Sequence, residues 1–138
     1  AKDFARMAHV AKLNIHGDFA IGHLGETKES VDRTIALAKA INPHTAQFQV
    51  MIPFAKTKFA QHLDENNAWS KNREPSYEKM GGLSAEEIRK EAKRAYRKFY
   101  ISEKHLKKII SDPKNFFFNR LDQYAQAIPA IFWRRWEK

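Results

Sequence analysis

Cysteine is absent from this chain of 138 residues, and that absence removes several kinds of chemistry at once. No disulfide can form, no thiolate zinc site can be built, and no iron–sulfur cluster can be held by cysteines of this chain. Long apolar runs are missing as well. No stretch approaches the roughly 20 residues needed to cross a bilayer, and the opening residues do not read as a signal peptide. A cytoplasmic location is therefore expected. There is no internal repeat and no low-complexity tract. A Ser-His-Asp set, a phosphate-cradling Gly-x-x-x-x-Gly-Lys loop and zinc-ligand spacing are likewise missing.

What is present is the composition of a globular domain: 43% hydrophobic and 30% charged residues. The length allows one domain with a modest core and is short for two. The formal net charge of +9 permits attraction to nucleic acid or to anionic lipid. The preferred reading is plainer: the charge coats the solvated faces of helices, or a surface that meets another part of a larger protein. Phe4, Met7, Val10 and Ala11 already show helical spacing directly after Ala1. A chain that opens inside a periodic helix is expected to be a fragment, partnered by the missing N-terminal part of the same polypeptide.

The chain is organised around the stretch from Gly17 to Thr27, Gly-Asp-Phe-Ala-Ile-Gly-His-Leu-Gly-Glu-Thr. Phe19 and Ile21 give it strand character. Gly22 and Gly25 allow backbone geometries and close approaches that a side chain would block. Thr27 can cap a following helix, and Glu26 sits where a negative charge suits a helix N-terminus. A first helix is predicted from Lys2 to Leu13, with Phe4, Met7, Ala8, Val10 and Ala11 towards one side and Asn14 ending it. Ile15 to Ile21 reads as a buried parallel strand. The second helix places Val31, Ile35, Ala38 and Ile41 on one stripe, and Asn42-Pro43 stops it. A second strand spans Ala46 to Ile52 and runs into Pro53. The helix between them is long enough to be a right-handed crossover, which makes a β-α-β unit. Ligands of such units gather at the carboxyl ends of the strands, here beside Gly22 and Pro53.

Further on, Thr57 to Leu63 predicts one or two helical turns. Asp64 to Gly82 is rich in loop residues, with Trp69 and Tyr77 expected to pin it. Ser84-Ala85-Glu86-Glu87 is a capping box. It opens a helix whose inner face carries Ile88, Ala92, Ala95, Tyr96 and Phe99, with Arg89, Lys90, Lys93, Arg94, Arg97 and Lys98 elsewhere around it. Leu106, Ile109 and Ile110 mark a short helix before Asp112-Pro113. A last helix is predicted through Phe117, Leu121, Tyr124 and Ile128, broken near Pro129, before the aromatic and basic end from Ile131 to Trp136. The expected fold class is α/β and mostly helical. A β-α-β unit with about two parallel strands occupies 1–63, a loop 64–83, and a helical extension 84–138.

Taken together and in order, several features resemble the C-terminal half of a radical S-adenosylmethionine enzyme. They are Gly17 to Thr27, the following helix, Phe48 to Thr57, Trp69, and Leu83-Ser84-Ala85-Glu86-Glu87 leading to Ala95-Tyr96-Arg97-Lys98-Phe99-Tyr100. The similarity covers about residues 1 to 112 and is nearest to the class with an N-terminal cobalamin-binding domain. The Gly-x-x-Gly-Glu-Thr turn alone is a weak signal; the ordered set is more specific. The resemblance implies a partial (β/α) barrel whose last two strands are present here. It also implies S-adenosylmethionine and a 4Fe-4S cluster in the parent oxidoreductase, cobalamin as a further candidate, and an unidentified substrate walled in part by the loop from Asp64 to Gly82.

By the same resemblance, Ile21 matches the apolar position that packs on the adenine, and Gly22 and Gly25 match the turn glycines. Glu26 matches the turn glutamate, and the strand end with Ile52 and Pro53 approaches the cofactor. Two departures stand out. The family often has proline where this chain has Leu24, and Pro-Gly-Thr where it has Ala55-Lys56-Thr57. The three-cysteine motif that binds the cluster lies upstream of the matched region, so the chain alone is expected to be inactive and to carry neither a catalytic residue nor a bound cofactor.

Other constellations weigh less. His16, His23, His44 and His62 form no ligand pair at helical spacing, although His62 lies near Asp64 and Glu65. A metal site is not expected, and His23, in the turn at the pocket mouth, is kept as a ligand contact. Asp18 and Glu26 are conceivable as an acid/base pair, with structural roles favoured. Trp133, Arg134, Arg135 and Trp136 suit stacking on nucleic acid, a membrane surface, or packing on the barrel, and the last is preferred. Exposed strand edges would also allow dimerisation. The alternative to the enzyme reading is a small basic helical module that binds nucleic acid through Arg89–Lys98 and the Trp-Arg-Arg-Trp end, or that meets a partner protein. Titration with a random oligonucleotide separates these readings. Affinity that falls steeply as salt rises marks the basic module, and no binding even at low salt removes it.

Overall fold

The computed structural model of the chain describes residues 1–70 and 74–111. In chain order the elements are α1 (Lys2–Val10), β1 (His16–Ile21), α2 (Lys28–Ile41), β2 (Thr45–Val50), α3 (Lys58–Glu65), a 3-10 turn at Tyr77–Met80, α4 (Ala85–Tyr100) and α5 (Glu103–Ser111). The predicted helix through Phe117 to Ile128 and the aromatic end lie outside the described residues. The architecture is α/β and mostly helical, with β1 and β2 paired in parallel, from His16 opposite Thr45 to Ile21 opposite Val50.

The helix boundaries follow from local chemistry. Thr27 caps α2 by accepting from the Ser30 N–H, and the Ser30 hydroxyl reciprocates by accepting from the Thr27 N–H. Asn42 ends α2 in the left-handed conformation, a geometry that asparagine tolerates. Ser84 and Glu87 form the expected capping box at the start of α4, and the hydrogen bonds from Ser84 hold the Glu87 carboxyl below its ordinary pKa. Lysines of α5 close the other end of α2. Lys108 Nζ donates to the Asn42 carbonyl at 3.0 Å, and Lys104 Nζ reaches the Lys39 and Ala40 carbonyls at 3.5 Å, where a cation complements the helix dipole.

One face of the sheet carries the core. Gly17, Phe19 and Ile21 of β1 and Ala46, Phe48 and Val50 of β2 point towards the helices, where Ile21, Phe48, Val31, Ile35, Ile88 and Phe99 form a continuous apolar cluster. The Phe19 and Phe48 rings stack at 5.1 Å, and Tyr96 meets Phe48 edge-on at 5.4 Å. The other face is polar: His16, Asp18, Ala20 and Gln49 are exposed. The expected fully buried β1 is thus corrected: among the described residues helices cover only one side of the pair, and the other face of β1 is exposed.

Two predicted helix faces also change. The first helix ends at Val10 rather than Leu13, and Lys12 turns left-handed with φ 55°. It docks on α2 through Ala5 and Ala8, with Ile15 and Ile41. Phe4, Met7 and Val10 stay 69%, 65% and 80% exposed. Small alanines allow closer helix contact than the bulkier stripe. In α5, Ile109 packs on the core, but Leu106 and Ile110 are exposed and the buried residue is His105. Its ring sits 4.7 Å from Phe99 and 5.0 Å from Tyr100.

The described parts of the long loop carry contacts of their own. Trp69 pairs with Pro75 across an isolated bridge, and its indole N–H donates to Asp64 Oδ1 at 2.7 Å. Tyr77 is buried, and its hydroxyl donates to the Met51 carbonyl at 3.0 Å. Both aromatics pin the loop as expected. Among the described residues, no helix is long and apolar enough to cross a membrane.

Burial, with Lys108 and His44 nearby, pushes the His105 imidazole from an ordinary 6.5 down to about 4. The folded state therefore binds fewer protons than the unfolded state between these values. His105 is thus expected to contribute its full share of stability above pH 6.5 and to lose about 3 kcal/mol of it as pH drops towards 4. Urea unfolding across this window should show that loss, and His105→Phe should flatten it. An unchanged slope in the variant would assign the loss to other groups.

Candidate functional site

The turn after β1 is built by one carboxylate. Glu26 is 5% exposed, and its Oε2 accepts from the Gly22 N–H at 2.9 Å and from the His23 N–H at 3.4 Å. Its Oε1 accepts from the Ser30 hydroxyl. These bonds satisfy donors that lie between the end of β1 and the start of α2 and would otherwise have no partner. Gly22 has φ 100°, and a Cβ there would stand 3.1 Å from the Tyr77 hydroxyl and 3.3 Å from Ile88 Cγ2. Both the backbone and the packing require glycine. Gly82 lies against the same turn, with a would-be Cβ 3.3 Å from Glu26 backbone atoms, and Leu83 N–H donates to the Glu26 carbonyl at 3.0 Å.

The end of β2 arrives beside it. Met51 N–H donates to the Ile21 carbonyl at 2.8 Å as the last bond between the strands. The chain then passes through Ile52 and Pro53 into a turn closed by Thr57 N–H on the Phe54 carbonyl at 3.2 Å. Lys56 holds φ 67° there, at the third position of the turn, where glycine is favoured. Lysine stands here in the left-handed conformation, at a steric cost of about 1 kcal/mol. Thr57 then caps α3 by accepting from Ala60 N–H.

The predicted site residues therefore fall into two groups. Ile21, Gly22 and Glu26 are buried and committed to the core and the turn; His23, Gly25 and Ile52 are exposed and Pro53 half-buried. Ile52, with Phe54, shows more than 70% of its surface at the carboxyl end of β2. A separate open groove of about 450 Å³ runs from His23, Leu24 and Gly25 along α2 past Ser30, Arg33, Thr34 and Leu37. Glu26 borders it, whereas Ile52 and Pro53 do not.

Other candidate residues are engaged elsewhere. Asp18 Oδ1 lies 3.2 Å from His16 Nε2, and His16 Nδ1 lies 2.6 Å from the Thr45 hydroxyl. Asp18 and Glu26 thus serve different partners. On α4, Arg89 pairs with Glu74, Lys90 with Glu86, Arg94 with Asp32 and Glu91, and Lys98 with Asp32. The Arg94 hydrogen bond holds the Asp32 carboxyl below its ordinary pKa. His62 faces Glu65 at 3.9 Å on α3. No group of three or more His, Cys, Asp or Glu able to hold a metal ion occurs among the described residues. Sequence reasoning missed the Ser30 hydroxyl and Gly82, since only the fold brings them to Glu26.

The chain is similar to a methyltransferase. It is 31% identical over 125 residues to a Pyrococcus horikoshii protein described as an uncharacterized methyltransferase, a match covering 86% of this chain and 27% of that protein. The chain thus spans about a quarter of that relative's length. No family model and no solved structure matches.

The geometry makes Glu26 the keystone of the turn. Glu26→Ala should cost about 2 kcal/mol by leaving a buried N–H unsatisfied, read as a fall of roughly 5–10 °C in the unfolding midpoint. An unchanged midpoint would reassign Glu26 to a role outside the fold.

Proposed function

We propose that this chain is the C-terminal part of a larger S-adenosylmethionine enzyme of the radical type, a methyltransferase or oxidoreductase, and that it forms one wall of the cofactor site. What carries the reading is the glycine turn at the carboxyl end of β1 lying beside the end of β2, in a chain similar to a methyltransferase over 86% of its length. The resemblance of the ordered motifs to the radical class adds the finer assignment.

Residues here suit the adenine side of such a cofactor. Ile52 and Phe54 offer exposed apolar surface for a flat ring at the end of β2, and Glu26 fixes the backbone of Gly22 and His23 at the end of β1. A rigid apolar shelf with few polar groups is how cofactor sites hold a ring in one orientation. The chain does not suit an iron–sulfur cluster, because it has no cysteine, and no described residue is assigned to cobalamin. When bound, S-adenosylmethionine supplies the carbon radical or the methyl group. This chain's share is to position the adenine, exclude water on that side and close the barrel.

Calorimetry on the 138-residue chain is expected to show weak or no binding of S-adenosylmethionine, and the anaerobically reconstituted longer polypeptide tight binding. Ile52→Asp in the longer polypeptide should weaken that binding by about tenfold or more, since one lost apolar contact of 1–2 kcal/mol has that effect. A tight one-to-one complex with the isolated chain, or full affinity in the variant, would remove the reading.

A further inference from the structure

Beyond the last bond between the strands, the chain is held by one side chain. Met51 N–H donates to the Ile21 carbonyl. The Met51 carbonyl accepts from the Tyr77 hydroxyl at 3.0 Å. That carbonyl belongs to the rigid peptide plane shared with Ile52, so fixing it fixes the direction in which Ile52 leaves the strand. From there to the turn at Phe54, no other hydrogen bond holds the backbone among the described residues.

The same hydroxyl touches the other strand end. A Cβ on Gly22 would stand 3.1 Å from it and 3.4 Å from Cζ of the ring. The bare backbone of Gly22 is therefore what lets the tip of Tyr77 lie between the turn after β1 and the end of β2. The rest of the residue is equally committed. Its ring is buried and lies 6.5 Å from that of Phe59 on α3. Its carbonyl accepts from Gly82 N–H at 3.0 Å, and Gly82 packs on the Glu26 backbone. Burial raises the pKa of the phenol, which keeps it a donor across the neutral range.

Packing alone would be served by phenylalanine. The hydroxyl adds one directed bond, and that bond ends on the peptide that leads into the exposed Ile52 and Phe54. Tyr100 makes the contrast. Its hydroxyl bonds the backbone of Ala46, a residue already fixed by its place in the strand pair. The Tyr77 bond falls where the strand pair has ended and nothing else sets the backbone.

We propose that Tyr77 is a positioning residue of the cofactor site. Its hydroxyl sets the Met51–Ile52 peptide, and through it the angle at which Ile52 and Phe54 stand to the Gly22 turn. This role rests on the function proposed above.

Two variants separate the role from packing. Tyr77→Phe removes the hydroxyl and keeps the ring. Phe59→Leu trims the ring beside Tyr77 and keeps the hydroxyl bond. Each should lower the unfolding midpoint of the 138-residue chain by about 5 °C. The backbone order parameter of Ile52 in that chain should be about 0.85, and only Tyr77→Phe should drop it below about 0.6. In the anaerobically reconstituted longer polypeptide, calorimetry should show S-adenosylmethionine bound about tenfold more weakly by Tyr77→Phe and unchanged by Phe59→Leu. An order parameter already below about 0.6 in the wild-type chain overturns the role without any variant. So does a Tyr77→Phe variant that keeps the order parameter or the affinity, and so do equal losses in both variants, which mark a general loosening of the core. A wild-type longer polypeptide that fails to bind S-adenosylmethionine removes the function proposed above and this role with it. Tight binding by the wild type and by Tyr77→Phe alike removes this role alone.

Discussion

A parallel pair of strands cannot be closed by a tight turn, and this requirement shapes the rest of the chain. The link between β1 and β2 has to travel the full length of the sheet and return, so α2 exists as much to span as to pack. Its stripe of Val31, Ile35 and Ala38 covers the inner face of the sheet, and α4 completes the cover with Ile88, Ala92, Ala95 and Phe99. The ends of α2 then need compensation, since each leaves backbone groups without partners. Glu26, Thr27 and Ser30 supply it at the start, and Lys104 and Lys108 at the finish.

The same requirement leaves a fixed turn at the carboxyl end of β1. A turn rigid enough to launch α2 in the right direction fixes the backbone of Gly22 and His23 as a by-product, next to the exposed Ile52. Buried and accessible residues thus alternate among neighbours. Glu26 and Gly22 hold the turn, while His23, Gly25 and Ile52 remain accessible. The basic residues divide similarly: much of the positive charge on α4 is matched by Asp32, Glu74, Glu86 and Glu91.

Signals that act within a few residues were legible in the sequence. The Thr27 cap, the Ser84–Glu87 box, the stop at Asn42-Pro43 and the α2 stripe all depend on neighbours along the chain, and all are found. Signals that depend on a distant partner were not. Periodicity shows that Phe4, Met7 and Val10 share a side, but not that alanines would dock α1 instead. An apolar strand pattern does not reveal whether helices cover one face or two. Nothing along the chain marks His105 as buried; Phe99 and Tyr100, packed around it, make it so. The candidate site was legible as a turn and a strand end. The buried state of Ile21 and the bonds of Glu26 to Ser30 and the turn amides needed three dimensions.

Tyr77 has one more effect, on the chain statistics of the unfolded-to-folded transition. The connection from β2 to α4 is long, and closing a long loop costs entropy that grows with the logarithm of its length. By bonding the Met51 carbonyl and packing under Gly22, Tyr77 ties this connection back near its origin, shortly before α4 begins. The outward excursion through α3 and Trp69 becomes a closed circuit with its own contacts, and only a short span is left to reach Ser84. The chain therefore leaves for α4 from a point already fixed beside Gly22 and the end of β2.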